Sequence, residues 1–297
     1  MAKVVKIRRI FVTFVWIYFS SVMEIPRIDV AATLAAKAPR AARWIPRTVV
    51  GWLRRTVHEQ EMNEILERVW QLPPVDFIRS FFDYMQIGFV TEGLERLDPA
   101  GRYLFASNHP FGGVDGMMLA DRLIDRFGDV RVVVNDILMA VQPLRSLWLP
   151  VNKHGAQNAD YARRYDEAFR LPLPVLTFPA GLCSRRRNGR VSDLEWKTNF
   201  VKQAHRTGRD VVPVYVEGEL SNFFYRLSNI RTALGIKFNI EMLWLVDEMF
   251  RQRGRRFILR FGTPIPHEQL LAIGPRREQT AYVRQQVYAL APSLNAK

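Results

Sequence analysis

The chain has 297 residues, 48% of them apolar and 24% charged, enough to bury one large core or two small ones and to exclude disorder as the dominant state. A lone cysteine, Cys183, excludes an internal disulfide framework and fits a reducing compartment. The formal net charge is +14, but no zinc-finger, RNP-like or basic-zipper pattern accompanies it, so nucleic acid is not an expected partner.

The charge is concentrated at the start. Residues 1–55 carry eleven Lys and Arg against Glu24 and Asp29 alone. Among them stand Phe11, Phe14, Trp16, Trp44 and Trp52, a mixture suited to an anionic membrane surface, with a solvated basic helix face as the plainer reading. Lys3, Lys6, Arg8 and Arg9 precede an apolar run over 10–23 that is interrupted by Thr13, Ser20 and Ser21. That run is short of the ~20 residues of a bilayer span. Residues 1–27 are therefore expected to form a half-inserted or interfacial anchor, the other reading being a true start at Met23. The expected location is the cytoplasmic face of the inner membrane, peripheral or monotopic.

Residues 28–90 read as a helical, membrane-associating region. Trp44, Ile45, Val49, Trp52 and Leu53 recur at helical spacing between Arg43, Arg47, Arg54 and Arg55, with breaks at Pro39 and Pro46. Further helices are predicted over 59–70, ending before Pro73 and Pro74, and over 77–87, closed by Gly88. Residues 91–297 have a different texture. Short β-rich runs at 103–107, 130–134, 147–151, 175–178, 211–216 and 257–261 alternate with helix-length stretches, notably 117–127, 160–169 and 193–206. This alternation predicts an α/β domain whose largely parallel, mixed sheet is flanked by helices. Chemistry in such sheets gathers at the carboxyl ends of strands, which points to 108–116 and 179–187.

In the first of these segments, Asn-His-Pro-Phe-Gly-Gly-Val-Asp-Gly, an apolar strand delivers His109 to its end. Pro110 stops helix continuation, and Gly112 and Gly113 permit a tight loop. Asp115 follows near the start of the next helix. Such a pair can act as an imidazole base oriented by a carboxylate, or Asp115 can simply cap the helix. In the second segment, Phe178-Pro179-Ala180-Gly181 is followed by Ser184, Arg185 and Arg186, a turn backed by guanidiniums that suits an anionic head group or a solvated basic loop. No G-x-S-x-G elbow is present, and Cys183 has no assigned His partner. His58, His154, His205 and His267 read as structural or surface residues.

Together, NHPFGGVDG, FPAG-x-x-SRR and VVPVYV resemble the blocks of the glycerolipid acyltransferase superfamily in order and rough spacing, and more narrowly its hemolysin-like bacterial subgroup. NDILM (135–139), PVNKHGAQN (150–158), LTFPAGLCSRR (176–186), DLEWK (193–197), RDVVPVY (209–215), SNFFYRL (221–227) and LGIKFNIEML (234–243) extend the likeness over about residues 28–270. The resemblance implies an O-acyltransferase that carries a fatty acyl group from acyl-carrier protein or acyl-CoA to the hydroxyl of a lyso-lipid, with no cofactor and no metal. It implies His109 as general base and Asp115 as its partner. Asn108, Gly112, Gly113, Phe178, Pro179, Gly181, Arg185 and Arg186 become the expected substrate-binding residues. Lys153 stands where an arginine is common. Backbone N–H groups around 112–116 are expected to stabilise the oxyanion.

The chain departs from the superfamily pattern in having five residues between His109 and Asp115 rather than four, Ala180 in place of a glutamate, and Leu182-Cys183-Ser184-Arg185 in place of Thr-Arg. The acceptor is therefore open between a lysophospholipid, 1-acylglycerol-3-phosphate included, and a lyso-aminolipid. A non-catalytic, basic amphipathic membrane binder of hemolysin type is the rival reading.

Overall fold

A computed structural model describes residues 25–37, 43–151, 159–236 and 239–292. Pro39, Lys153, His154 and the expected anchor up to residue 24 lie outside the described residues. Helices α1 (Val30–Lys37), α2 (Arg47–Thr56), α3 (Glu59–Val69) and α4 (Pro74–Met85) come first. Then follow β1 (Gly88–Glu92), β2 (Tyr103–Ser107), α5 (Val114–Phe127), β3 (Arg131–Asn135), β4 (Trp148–Val151), α6 (Ala159–Arg170) and β5 (Val175–Thr177). A hairpin of β6 (Arg185–Arg187) and β7 (Arg190–Ser192) precedes α7 (Asn199–Thr207) and β8 (Asp210–Val216). The remainder is α8 (Asn222–Ala233), α9 (Leu245–Phe250), β9 (Arg256–Phe261), α10 (His267–Ile273) and α11 (Arg276–Ala289).

The elements fall into two compact units. One joins the chain up to Met85 with Ser221–Arg253, so that α8 and α9 belong with α1–α4. Proline opens α2, whose N-cap is Pro46, and stands at the first position of α4, where a missing N–H costs nothing. α4 buries Phe77, Ile78, Phe81, Phe82 and Met85 at helical spacing. Between α2 and α3, His58 adopts a left-handed backbone (φ 49°). Its ring nitrogens meet Glu61 at 3.1 Å and Asp247 at 3.0 Å, and the ring stacks on Phe250 at 4.2 Å.

The other unit, Gln86–Leu220 with Gly254 onward, holds a seven-stranded sheet in the order β1-β9-β8-β2-β5-β3-β4. All pairs are parallel except β8 with β9, so the sheet is mixed and flanked by helices, as the strand–helix alternation predicts. β2 lies at its middle and every residue of it is buried, the continuous apolar run of a strand covered on both faces. Leu104 and Ala106 face a core shared with Phe200, Val201 and Ala204 of α7, Leu270 of α10 and Val283 and Val287 of α11. Phe105 faces the other way, against Phe127 of α5 and Phe261 of β9. After β2 the chain supplies strands on one side, and after β5 it crosses to β8 on the other. The carboxyl end of β2 is thus a topological switch point, the usual place for a site in an open α/β sheet.

Candidate active site

The β2–β8 ladder runs in register from Tyr103 opposite Asp210 to Ser107 opposite Val214. The Asn108 side chain continues it: its amide donates to the Val216 carbonyl at 2.9 Å, and its oxygen accepts from the Val216 N–H at 2.7 Å. A side chain acting as one more rung fixes where the strand ends, and hence where His109 begins its loop.

Across that loop, His109 Nδ1 lies 2.9 Å from Asp115 Oδ2. Asp115 is in the first turn of α5 and fully buried. Its Oδ2 also accepts from the Phe111 N–H at 3.1 Å, while Oδ1 accepts from the N–H groups of Gly113 and Gly116, each at 3.0 Å. Three main-chain N–H groups and the positive end of a helix thus surround this carboxylate with donors. It therefore accepts a hydrogen bond from Nδ1–H, the tautomer that leaves Nε2 with its lone pair. The same contacts engage the Gly113 and Gly116 amides within the loop, so those two do not serve an oxyanion, contrary to the expectation for that stretch. Gly112 supplies the left-handed backbone (φ 75°) that brings the loop around. Phe111 packs on Phe257 with ring centroids 5.0 Å apart. It fits because Gly218 has no Cβ, which would stand 2.1 Å from the Phe111 ring.

The second loop closes on the first. Phe178 stacks on the His109 imidazole at 4.2 Å with an interplanar angle of 29°. Pro179 and Ala180 are buried, and Gly181 (φ 64°) completes a turn in which its N–H donates to the Phe178 carbonyl at 2.9 Å. The Ser184 N–H donates to the His109 carbonyl at 2.8 Å, stitching the two loops through their main chains.

Arg185 is buried at 4% exposure, and its guanidinium donates to the Cys183 carbonyl at 2.7 Å, with Cys183 Sγ at 2.9 Å. Arg186 leans the other way and pairs with Glu219 at 2.8 Å. Of the residues expected from sequence, Asn108, His109, Gly112, Gly113, Asp115, Phe178, Pro179, Gly181, Arg185 and Arg186 all lie in these two loops or at their borders; Lys153 lies outside the described residues.

Sequence reasoning passed over Asp193, whose carboxylate reaches both loops, and Trp196, which donates to it at 2.9 Å. The signal available was the string DLEWK. Among the described residues, one group has metal-ligand geometry: Asp210, His267 and Glu268, with ligand atoms within 4.8 Å of one another. It lies at the start of β8, the opposite strand end from His109, and sequence spacing hid it because Asp210 and His267 are far apart in the chain.

A buried carboxylate, an imidazole whose Nε2 is not engaged and a stacked aromatic wall make an arrangement that can serve as a general base. The family model described as Acyltransferase matches residues 32–297. The chain is 41% identical over 264 residues to the lyso-glycine lipid O-acyltransferase of Bacteroides thetaiotaomicron, covering 89% of this chain and 97% of that one. A protein of the same name from Phocaeicola vulgatus is equally similar, at 41% over 264 residues, 89% of this chain and 95% of its own. A solved structure, the 1-acyl-sn-glycerophosphate (LPA) acyltransferase PlsC from Thermotoga maritima, is similar at 16% identity and a TM-score of 0.45 over all of both chains.

Proposed function

The chain belongs to the acyltransferase family and is an O-acyltransferase, and from that premise we propose that it moves a fatty acyl group from a carrier thioester to the hydroxyl of a lyso-lipid. A lyso-glycine lipid is the first-choice acceptor, because two relatives bearing that name are aligned over almost their whole length and because Ala180 leaves the second loop without the glutamate common among lysophosphatidate enzymes. The non-catalytic rival falls with family membership. The observation that carries the mechanism is the His109–Asp115 pair at 2.9 Å, with Nε2 free at the switch point of the sheet.

In this reading His109 Nε2 takes the acceptor hydroxyl proton as the oxygen attacks the thioester carbonyl. The tetrahedral intermediate collapses, the carbon–sulfur bond breaks, and the imidazolium returns the proton to the thiolate of acyl-carrier protein or CoA. Asp115 holds the ring in the productive tautomer and stabilises the imidazolium between the two steps.

The same proposal puts the protein at the cytoplasmic face of the inner membrane, against an anionic lipid surface. In support, α2 has no acid in its first turn and exposes Val49 and Trp52 beside Arg47 and Arg55, with Trp44 77% exposed just before it. α8 buries Phe224, Tyr225 and Ser228 on one face yet exposes Phe223 and Ile230 on another, with exposed Leu234 capping its end. Aromatic and aliphatic side chains mixed with arginine suit the headgroup boundary. No described helix is long and apolar enough to cross a membrane.

The test is an acceptor panel with purified protein. Acyl-carrier protein and acyl-CoA thioesters are each offered with lyso-glycine lipid, lysophosphatidate and lysophosphatidylethanolamine. Transfer to the lyso-glycine lipid well above the others supports the acceptor assignment; preference for lysophosphatidate overturns it and leaves the acyl-transfer reading intact.

A further inference from the structure

Asp193 follows β7 and is 5% exposed. Its Oδ1 accepts from the His109 N–H at 3.1 Å and from the Ser184 hydroxyl at 2.6 Å; Oδ2 accepts from the Trp196 indole N–H at 2.9 Å. Since the Ser184 N–H donates to the His109 carbonyl, both main-chain polar groups of His109 end on the Ser184–Asp193 pair. Asp193 is itself anchored from α11, where Tyr288 Oη accepts its N–H at 2.7 Å and Arg284 donates to its carbonyl at 3.1 Å.

On the reading that His109 is the general base, we propose that Asp193 is a positioning residue for it, holding its main chain against the second loop and supplying a negative charge that favours the imidazolium formed during transfer. Asp115 works on the ring through Nδ1; Asp193 works on the backbone that carries the ring. The His109 main-chain N–H and the Trp196 indole N–H can only donate, and with Ser184 donating as well an ionised carboxylate satisfies all three. The titratable and charged groups facing Asp193 are His109 from the β2–α5 loop, Tyr288 and Arg284 from α11, and Tyr215 from β8. Burial pushes the Asp193 carboxyl up, and hydrogen bonds from Ser184, His109 and Trp196, with the charge of His109, oppose that rise.

The donor pattern makes the proposal separable from packing. In Asp193→Asn one orientation sets NH2 against the Trp196 indole N–H, and the flipped one sets it against the His109 N–H. Adding Trp196→Phe removes the first conflict, so the double variant keeps the hold on His109 and loses only the charge. The experiment measures kcat, KM and the pH profile of kcat/KM for wild type, D193N, W196F, D193N/W196F and H109A.

We expect D193N to lower kcat about 10- to 100-fold with little change in KM, as misplacement of a reacting group does. Its acid limb should move to lower pH by about 0.5–1 unit, because the imidazolium has lost a neighbouring anion. The double variant should recover kcat while its limb stays displaced. Wild-type kcat in D193N, or a wild-type limb in the double variant, overturns the proposal. Wild-type turnover in H109A overturns instead the base assignment on which it rests.

Discussion

Asp115 Oδ2 stands 2.9 Å from His109 Nδ1, and the same carboxylate accepts the main-chain N–H groups of Phe111 and Gly113 in the loop that separates the two residues and that of Gly116 just beyond it. Asp115 is thus both the orienter of the imidazole and the organiser of its own loop. The five residues between them are accommodated because Phe111 and Gly113 point their N–H groups inward at one side chain.

Asp115→Asn should therefore harm activity more than stability. A carboxamide has one accepting oxygen for four donors, and its NH2 favours the wrong imidazole tautomer. We expect kcat to fall about 10³- to 10⁴-fold, with a stability loss of about 1–3 kcal/mol from the orphaned amides. Steady-state transfer and urea unfolding of the same preparation check both numbers.

Phe178 is the wall against which His109 rests, at 4.2 Å between centroids. Phe178→Ala should lower kcat about fivefold, the equivalent of about 1 kcal/mol for one aromatic pair, and Phe178→Leu should lower it less. The two variants compared under saturating substrate give the answer.

Arg209 is wholly buried and its guanidinium ends on main-chain oxygens, not on a carboxylate. It donates to Phe169 at 3.0 and 2.9 Å, to Tyr103 at 3.1 Å, to Leu173 at 2.8 Å, and to Leu171. Burial pulls its pKa down to about 10, so it stays protonated at neutral pH. It gathers the end of α6 and the following turn onto β2. Arg209→Met should cost at least about 3 kcal/mol, since several buried carbonyls lose their donor together, and Arg209→Lys should recover part of that. Chemical denaturation checks it, with kcat per folded molecule unchanged.

Asp247 gives the first unit an acid-sensitive contact. Burial pushes its carboxyl up, but hydrogen bonds from His58 and Arg251, with their charges, hold it below its ordinary value. A depressed carboxyl contributes stability above its unfolded pKa and loses it as pH falls through the folded one. Asp247→Asn should thus lower the urea midpoint at pH 7, and the gap to wild type should narrow as pH falls below the ordinary carboxylate range. A gap that stays constant from pH 7 down into the acid range contradicts the assignment.

Much of this was legible in the sequence. The run at 103–107 coincides with β2, and those at 211–216 and 257–261 fall within one residue of β8 and β9: β2 and β8 are near-continuous apolar runs covered on both faces, whereas β9 alternates buried with less buried residues. β1 was not legible: Gly88-Phe-Val-Thr-Glu is short, lies at the sheet edge and leaves Val90 60% exposed. The helix expected over 193–206 begins only at Asn199, since Asp193 and Trp196 are engaged at the site instead. The His109–Asp115 pair could be read from a strand end and a glycine loop. Asp193 could not, because its partners Ser184, His109 and Trp196 come together only through the β6–β7 hairpin and the crossing of the loops. The expectation that glycine amides of 112–116 face an oxyanion failed at Gly113 and Gly116 for a local reason, the second oxygen of Asp115.

The measurement that bears most directly on the central claim is single-turnover acyl transfer from labelled acyl-carrier protein to lyso-glycine lipid by His109→Ala beside wild type, with thermal unfolding run on both. Transfer lower by about 10²- to 10⁴-fold, as for loss of a general base, at a closely similar Tm is the predicted result. A folded His109→Ala that transfers at the wild-type rate contradicts the account.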